Sequence, residues 1–261
     1  MRQALSRIRT LRSRVLQGEP VRGLFVRTAD TAVSEALALT ELDFIVLDVE
    51  NSALNRTQVD LMIAISRAND LPVLVRLPAG QLDDIQHAMM AGAAGVIASH
   101  LMTATGANAV VDFCRSAGVA RSYAGMARDT HCRTVPWPEF RGSMAREFLV
   151  LVQIDNAQGV AQAESIARVA GLDAVFVGSL TLALELDRER GNPDGTEMHA
   201  AIRRVSSACR AAGIHLGMAA GKDCDDSCAG FASISVVGNE LNALRLGVNA
   251  ILMGSRQAGR Q

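Results

Sequence analysis

The chain has 261 residues, 49% hydrophobic and 20% charged, with a formal net charge of −1. That is enough apolar material for a large core, and the balanced charge, with no block of one sign, speaks against a nucleic-acid groove or a membrane surface. No apolar run approaches the length of a bilayer span, and 5 cysteines without framework spacing fit a reduced cytoplasmic protein.

Residues 1–18 read as an Arg-rich amphipathic helix without the apolar centre of a secretory signal. Val21–Val26 follows as a strand and Thr31–Leu39 as a helix. Phe44–Leu47 is the most informative stretch, because four apolar residues run straight into Asp48, Glu50 and Asn51. Such a run reads as a buried parallel strand, and in parallel β/α proteins chemistry collects at strand ends. Asp48 and Glu50, two apart, face one side if the extended geometry persists. Thr57–Ala68 is a helix burying Val59, Met62, Ile63 and Ile65. Residues 72–77 form a third strand bearing Arg76. Asp83–Ala91 is a helix, and Gly95–Ala98 is a fourth strand leading into Ser99 and His100.

Thr105–Ser116 is helical, and then the pattern breaks between Gly118 and Arg146. Arg121, Tyr123, Arg128, His131, Arg133, Trp137 and Arg141 fall in this Gly- and Pro-punctuated stretch, expected as a long irregular loop, functional or simply solvated. Phe148–Gln153 is a fifth strand ending in Gln153, Asp155 and Asn156. Ala161–Val169 is its helix, and Ala174–Val177 is a sixth strand running into Ser179 and Thr181. After a turn at 191–195, Glu197–Ala212 is a helix and Ile214–Met218 a seventh strand. Ala232–Val237 is an optional extra strand, Glu240–Leu246 a helix, and Ala250–Met253 the expected eighth strand, with no helix-length segment after it.

Eight strands alternating with helices predict a single (β/α)8 barrel domain over residues 1–261, with an open doubly wound sheet as the alternative. On this reading the last helix is missing, so either the barrel is incomplete or another chain covers it. The groups after the strands converge on one face: Asp48, Glu50, Asn51, Arg76, Ser99, His100, Gln153, Asp155, Ser179, Thr181 and Ser255. Arg76 suits a carboxylate or enolate oxygen through paired donors, or an ion pair with Asp48 or Glu50. Asp155 with Glu50 offers oxygen ligands to a hard divalent cation, or partners for arginines. His100 is a candidate base, against a plainer surface or packing role. Lys222, the only lysine, lies beside Asp223, Asp225 and Asp226, which favour an exposed amine over a Schiff-base nucleophile. Cys224 and Cys228 share a helical face but lack further metal ligands.

The order Gly-Leu-Phe (23–25), Leu-Asp-Val-Glu-Asn (47–51), Val-Arg-Leu-Pro (75–78), Val-Gln-Ile-Asp-Asn (152–156), Phe-Val-Gly-Ser-Leu-Thr (176–181) and Ile-Leu-Met-Gly (251–254) resembles the class II pyruvate-type aldolases, within the hydroxy-oxo-acid aldolase and citrate lyase β-chain superfamily. The resemblance implies a barrel of the phosphoenolpyruvate/pyruvate-binding type and a small 2-oxo acid or acyl-CoA substrate. It implies a divalent metal, Mg²⁺ or Mn²⁺, and a carbon–carbon bond made or broken through an enolate. It also implies a homo-oligomer assembled through a C-terminal helix, which this chain is expected to lack. By position, Arg76 neutralises the enolate oxygen and Asp48 and Glu50 are the acidic pair. Gln153, Ser179 and Asn51 lie on the substrate side, and Glu50, Asp155 and Thr181 on the metal side.

Three positions depart from the family pattern. Asn51 stands where the aldolases place a histidine base, and an amide cannot take a proton near neutral pH. Asp155 replaces a metal-binding glutamate, and Thr181 replaces a metal-binding aspartate, so a weakened metal site is expected. His100 is the replacement base this reading offers. Two further readings stay open: a catalytically impaired member acting as a binding or regulatory barrel, and a different enolate reaction such as decarboxylation or condensation.

Overall fold

Strands that are apolar on both faces must be enclosed on both, by one another inside and by helices outside. The computed structural model, which describes residues 6–123, 134–190, 196–219 and 232–258, meets both demands. Strands β1 (Val21–Val26), β2 (Phe44–Asp48), β3 (Val73–Pro78), β4 (Gly95–Ser99), β5 (Leu149–Ile154), β6 (Ala174–Val177), β7 (His215–Ala219) and β8 (Ile234–Asn239) form a closed parallel barrel in chain order. Pairing of β1 with β8 excludes the open sheet. The surrounding helices are α1 (Arg7–Leu16), α2 (Thr31–Ala38), α3 (Arg56–Ala68), α4 (Leu82–Ala91), α5 (Ala104–Asp112), α6 (Gly118–Ser122), α7 (Trp137–Glu147), α8 (Ala157–Ala161), α9 (Ala163–Ala167), α10 (Ser179–Arg190), α11 (Thr196–Ala212) and α12 (Glu240–Ala258). Among the described residues no helix is long and apolar enough to cross a membrane.

Strand parity sorts the core into two layers. Phe44 and Val46, Leu74, Leu149 and Leu151, and Phe176 fill the barrel lumen, while Ile45 and Leu47, Val73 and Val75, and Val150 and Val152 pack outward under the helices. Each fully buried side chain of this size contributes about 1.5–3 kcal/mol. Leu11 and Val15 of α1 belong to the lumen cluster and close the barrel floor. Gly23 is needed inside, because a Cβ there would lie 2.2 Å from the Phe44 ring. Continuing the inward parity one step, two residues along each strand, gives Asp48 on β2, Arg76 on β3 and Gln153 on β5, so the core pattern itself aims these polar groups into the mouth.

Two expectations are corrected. Residues 250–253 are not a strand. They lie within α12, and β8 is the segment that the sequence offered only as an optional strand. Apolar residues at 241, 244, 248, 251 and 252 have helical spacing, and a short apolar run alone does not distinguish strand from helix. The barrel therefore has a helix after its eighth strand, and Ser255, on α12, is not at a strand end. The stretch 118–146 is also not one irregular loop. It opens with α6 and closes with α7, where Trp137, Phe140 and Tyr123 form an aromatic cluster with centroid separations of 5.3–6.3 Å. Arg128, His131, Arg133, Lys222, Cys224 and Cys228 lie outside the described residues.

Candidate active site

Asp48, the last residue of β2, is fully buried and takes charge from two sides. Arg76 donates from Nε to Asp48 Oδ1 at 2.9 Å and from Nη2 to Oδ2 at 2.7 Å, a bidentate pair. Arg27, immediately after β1, donates from Nε to the same Oδ2 at 2.9 Å. The Arg76 guanidinium lies over the Phe25 ring, 4.4 Å from its centroid, which fixes its plane from below. Its remaining nitrogen, Nη1, reaches Gln153 Oε1 at 3.4 Å.

From Gln153 the network continues. Gln153 Nε2 donates to Asp155 Oδ2 at 2.9 Å, and Asn156 Nδ2 donates to Asp155 Oδ1 at 3.1 Å. Asn156 also caps α8 by accepting from the Gly159 N–H at 2.7 Å, so the short helix anchors the residue that orients the carboxylate. Gly178 has to be small, because a Cβ would come within 2.9 Å of both Asp155 Cβ and Gln153 Nε2.

His100 closes the circuit. Its Nδ1 is 3.0 Å from Asp155 Oδ2 and its Nε2 is 2.7 Å from Glu50 Oε1. Glu50 Oε2 returns to Arg76, 3.5 Å from Nε. That oxygen is buried and, among the described residues, has no hydrogen-bond partner. His100 adopts a positive φ of 60°, a conformation that non-glycine residues seldom take. Glu50, His100 and Asp155 each offer one metal-capable atom, all within 4.8 Å of one another.

The residues singled out from the sequence are thus mostly brought together. Asp48, Glu50, Arg76, His100, Gln153 and Asp155 share one ring at the mouth, and the ion pair expected of Arg76 is made with Asp48. Asn51 is exposed, and its backbone N–H donates to Asp48 Oδ1 at 3.2 Å. Ser179 is half-buried at the start of α10 and Thr181, two residues on, is exposed. Among the described residues neither side chain hydrogen-bonds to the ring. Ser99 is buried and donates to Leu77 O at 3.3 Å, a structural bond. The sequence reading missed Arg27 and the orienting role of Asn156. Arg27 follows an apolar strand just as Asp48 ends one, and that rule, applied to β1, identifies it.

The protein resembles a hydroxypyruvate/pyruvate aldolase of Roseovarius nubinhibens, 28% identical over 210 residues that cover 78% of this chain and 81% of that protein. It is likewise similar to a 4-hydroxy-2-oxovalerate aldolase of Rhodococcus jostii, 28% identical over 80% of each chain. A crystal structure of an HpcH/HpaI aldolase/citrate lyase family protein from Burkholderia cenocepacia superimposes with a TM-score of 0.83, at 26% identity over 95% of this chain and 99% of that one. Residues 22–242 match the family described as HpcH/HpaI aldolase/citrate lyase, and the chain belongs to that family.

Proposed function

We propose that the protein makes or breaks a carbon–carbon bond of a small 2-oxo acid through an enolate whose oxygen is held by Arg76. The observation that carries this reading is the ring itself, in which one guanidinium is fixed between Asp48, Glu50 and Gln153 at the mouth of a closed barrel. Asp48 and Phe25 hold Arg76 rigid before substrate arrives, so little reorganisation is needed when negative charge develops. The long contact from Nη1 to Gln153 is the weakest edge of the guanidinium, and a substrate oxyanion would take its place. Gln153, Ser179 and Asn51 are assigned to the substrate side. Asn51 is an amide, so the substrate proton goes to another group. The names of the aldolase relatives support a 2-oxo acid as the substrate class.

The site suits a divalent cation, which we take to be Mg²⁺ or Mn²⁺. Glu50 Oε2, buried beside Arg76 and without a hydrogen bond among the described residues, and the oriented Asp155 carboxylate are the oxygen donors, and exposed Thr181 adds no charge. When bound, such a cation withdraws electron density from the 2-oxo group and lowers the cost of the enolate. We also propose a homo-oligomer built through α12, whose Leu244, Ile251 and Met253 are 66%, 72% and 67% exposed.

The test is exchange of pyruvate methyl protons with D₂O, followed by NMR with Mg²⁺ or Mn²⁺ present. Exchange is expected in the native protein, and its loss in Arg76→Lys, with unchanged circular dichroism, supports the reading. Absence of both pyruvate binding and exchange with either metal overturns it.

A further inference from the structure

His100 presents two ring nitrogens to two carboxylates, and the donors do not add up. A neutral imidazole has one N–H for the two contacts at 2.7 and 3.0 Å, so the two carboxylates call for one further positive charge, which a second ring proton or a metal cation would each supply. A ring proton would still leave Glu50 Oε2 unmet, since the ring contacts Oε1 and, among the described residues, buried Oε2 has no hydrogen-bond partner. Two of the three groups are well ordered for a ligand: Asp155 is held by Gln153 and Asn156, and Glu50 is only 10% exposed beside Arg76. Outer-shell bonds of this kind are what orient metal ligands. His100 itself sits on a left-handed residue at the end of β4, a backbone state that needs support from its surroundings.

Resting on the metal-site reading above, we propose that His100 is a metal ligand, making a Glu50–His100–Asp155 donor set that selects a first-row transition cation over Mg²⁺. Two carboxylates and one imidazole match Mn²⁺, Co²⁺ and Zn²⁺. Mg²⁺ favours an all-oxygen octahedron and keeps much of its water. The order of affinity then rises from Mn²⁺ to Co²⁺, with Mg²⁺ below both. The ligand role takes the place of the base role anticipated for His100, because a ring nitrogen bound to a cation is not free to accept a substrate proton.

The test is calorimetric titration of the EDTA-treated protein with Mg²⁺, Mn²⁺ and Co²⁺, with the visible absorption of the Co²⁺ form recorded alongside. His100→Asn is the informative variant, since asparagine tolerates the same backbone conformation. Native protein is expected to bind Co²⁺ more tightly than Mg²⁺. In His100→Asn the Co²⁺ affinity falls at least about tenfold, the ligand-field band shifts, and Mg²⁺ affinity changes little. Tighter binding of either cation by His100→Asn than by the native protein overturns the proposal, because the imidazole then occupies the place of the cation. Equal Co²⁺ spectra for both proteins overturn it as well. Asp155→Asn separates the two levels: loss of Co²⁺ uptake there keeps the site, whatever His100→Asn shows, and retention of uptake removes the site altogether.

Discussion

Asp48 shows why the mouth of this barrel is costly to disturb. It is fully buried and its charge is met by Arg76 and Arg27. Removing one partner of a buried pair leaves a charge without compensation, at about 3–5 kcal/mol. Arg76→Ala is therefore expected to lower urea stability by about that amount, less whatever Arg27 restores. The double variant Asp48→Leu with Arg76→Met should be markedly more stable than Arg76→Ala, because the unpaired charge is gone. Equal stabilities would show that the loss is one of packing. Gly178→Ala tests the close approach behind Asp155. The added methyl must displace Asp155 or Gln153, both buried, so pyruvate exchange should fall steeply and the unfolding midpoint should drop with it. A large loss of stability with intact exchange would place the strain elsewhere. Arg76, Asp48 and Gln153 were legible in the sequence because each is a polar residue on an apolar strand. The hydrogen bond of Asn156 to Asp155 was not, since sequence-adjacent side chains carry no signal of mutual orientation.

Strands were easier to read than the connections between them. The bounds of β1 and β6 follow directly from their apolar runs, and α3 starts at Arg56 because Asn55 and Gln58 form a capping box. The exchange between β8 and α12 was hidden by chemistry common to both. Ile251, Leu252 and Met253 suit a strand or a helix, and only the wider spacing decides. The π turn from Phe113 to Ala117 likewise has no sequence signature, yet it places Cys114 under the helical layer. Burial pushes the Cys114 and Cys209 thiols up to about 12 from an ordinary value of 9.0. Both should resist a maleimide at pH 8 in the native protein and react after denaturation, as read by peptide mass spectrometry. Above pH 9 the unfolded thiols release protons that the folded ones keep. Their contribution to stability is therefore flat below pH 9 and declines as pH rises towards 12, which alkaline denaturation of Cys114→Ala with Cys209→Ala would show as a shallower slope.

Among the described residues, helix α12 is the element whose apolar surface finds least cover. Leu241, Leu244, Leu246, Val248, Ile251, Leu252 and Met253 are all exposed along its length. Leu244→Glu with Ile251→Glu is expected to reduce the solution mass measured by light scattering, with circular dichroism of the barrel unchanged. A native protein that is already monomeric would dismiss assembly through this helix. The base of the same helix has another consequence. Glu240 Oε1 accepts from the backbone N–H groups of Arg27 and Thr28, at 2.7 and 2.9 Å, across 213 and 212 residues of chain. Contacts of such sequence separation are slow to form, since the loop between them must close first. On refolding, the backbone that carries Arg27 therefore gains its clasp only once the first and last strands have joined. The single tryptophan, Trp137, reports on the middle of the chain. Its fluorescence should recover in stopped-flow mixing before ligand binding returns, which makes acquisition of binding competence the slow event in the protein's biogenesis.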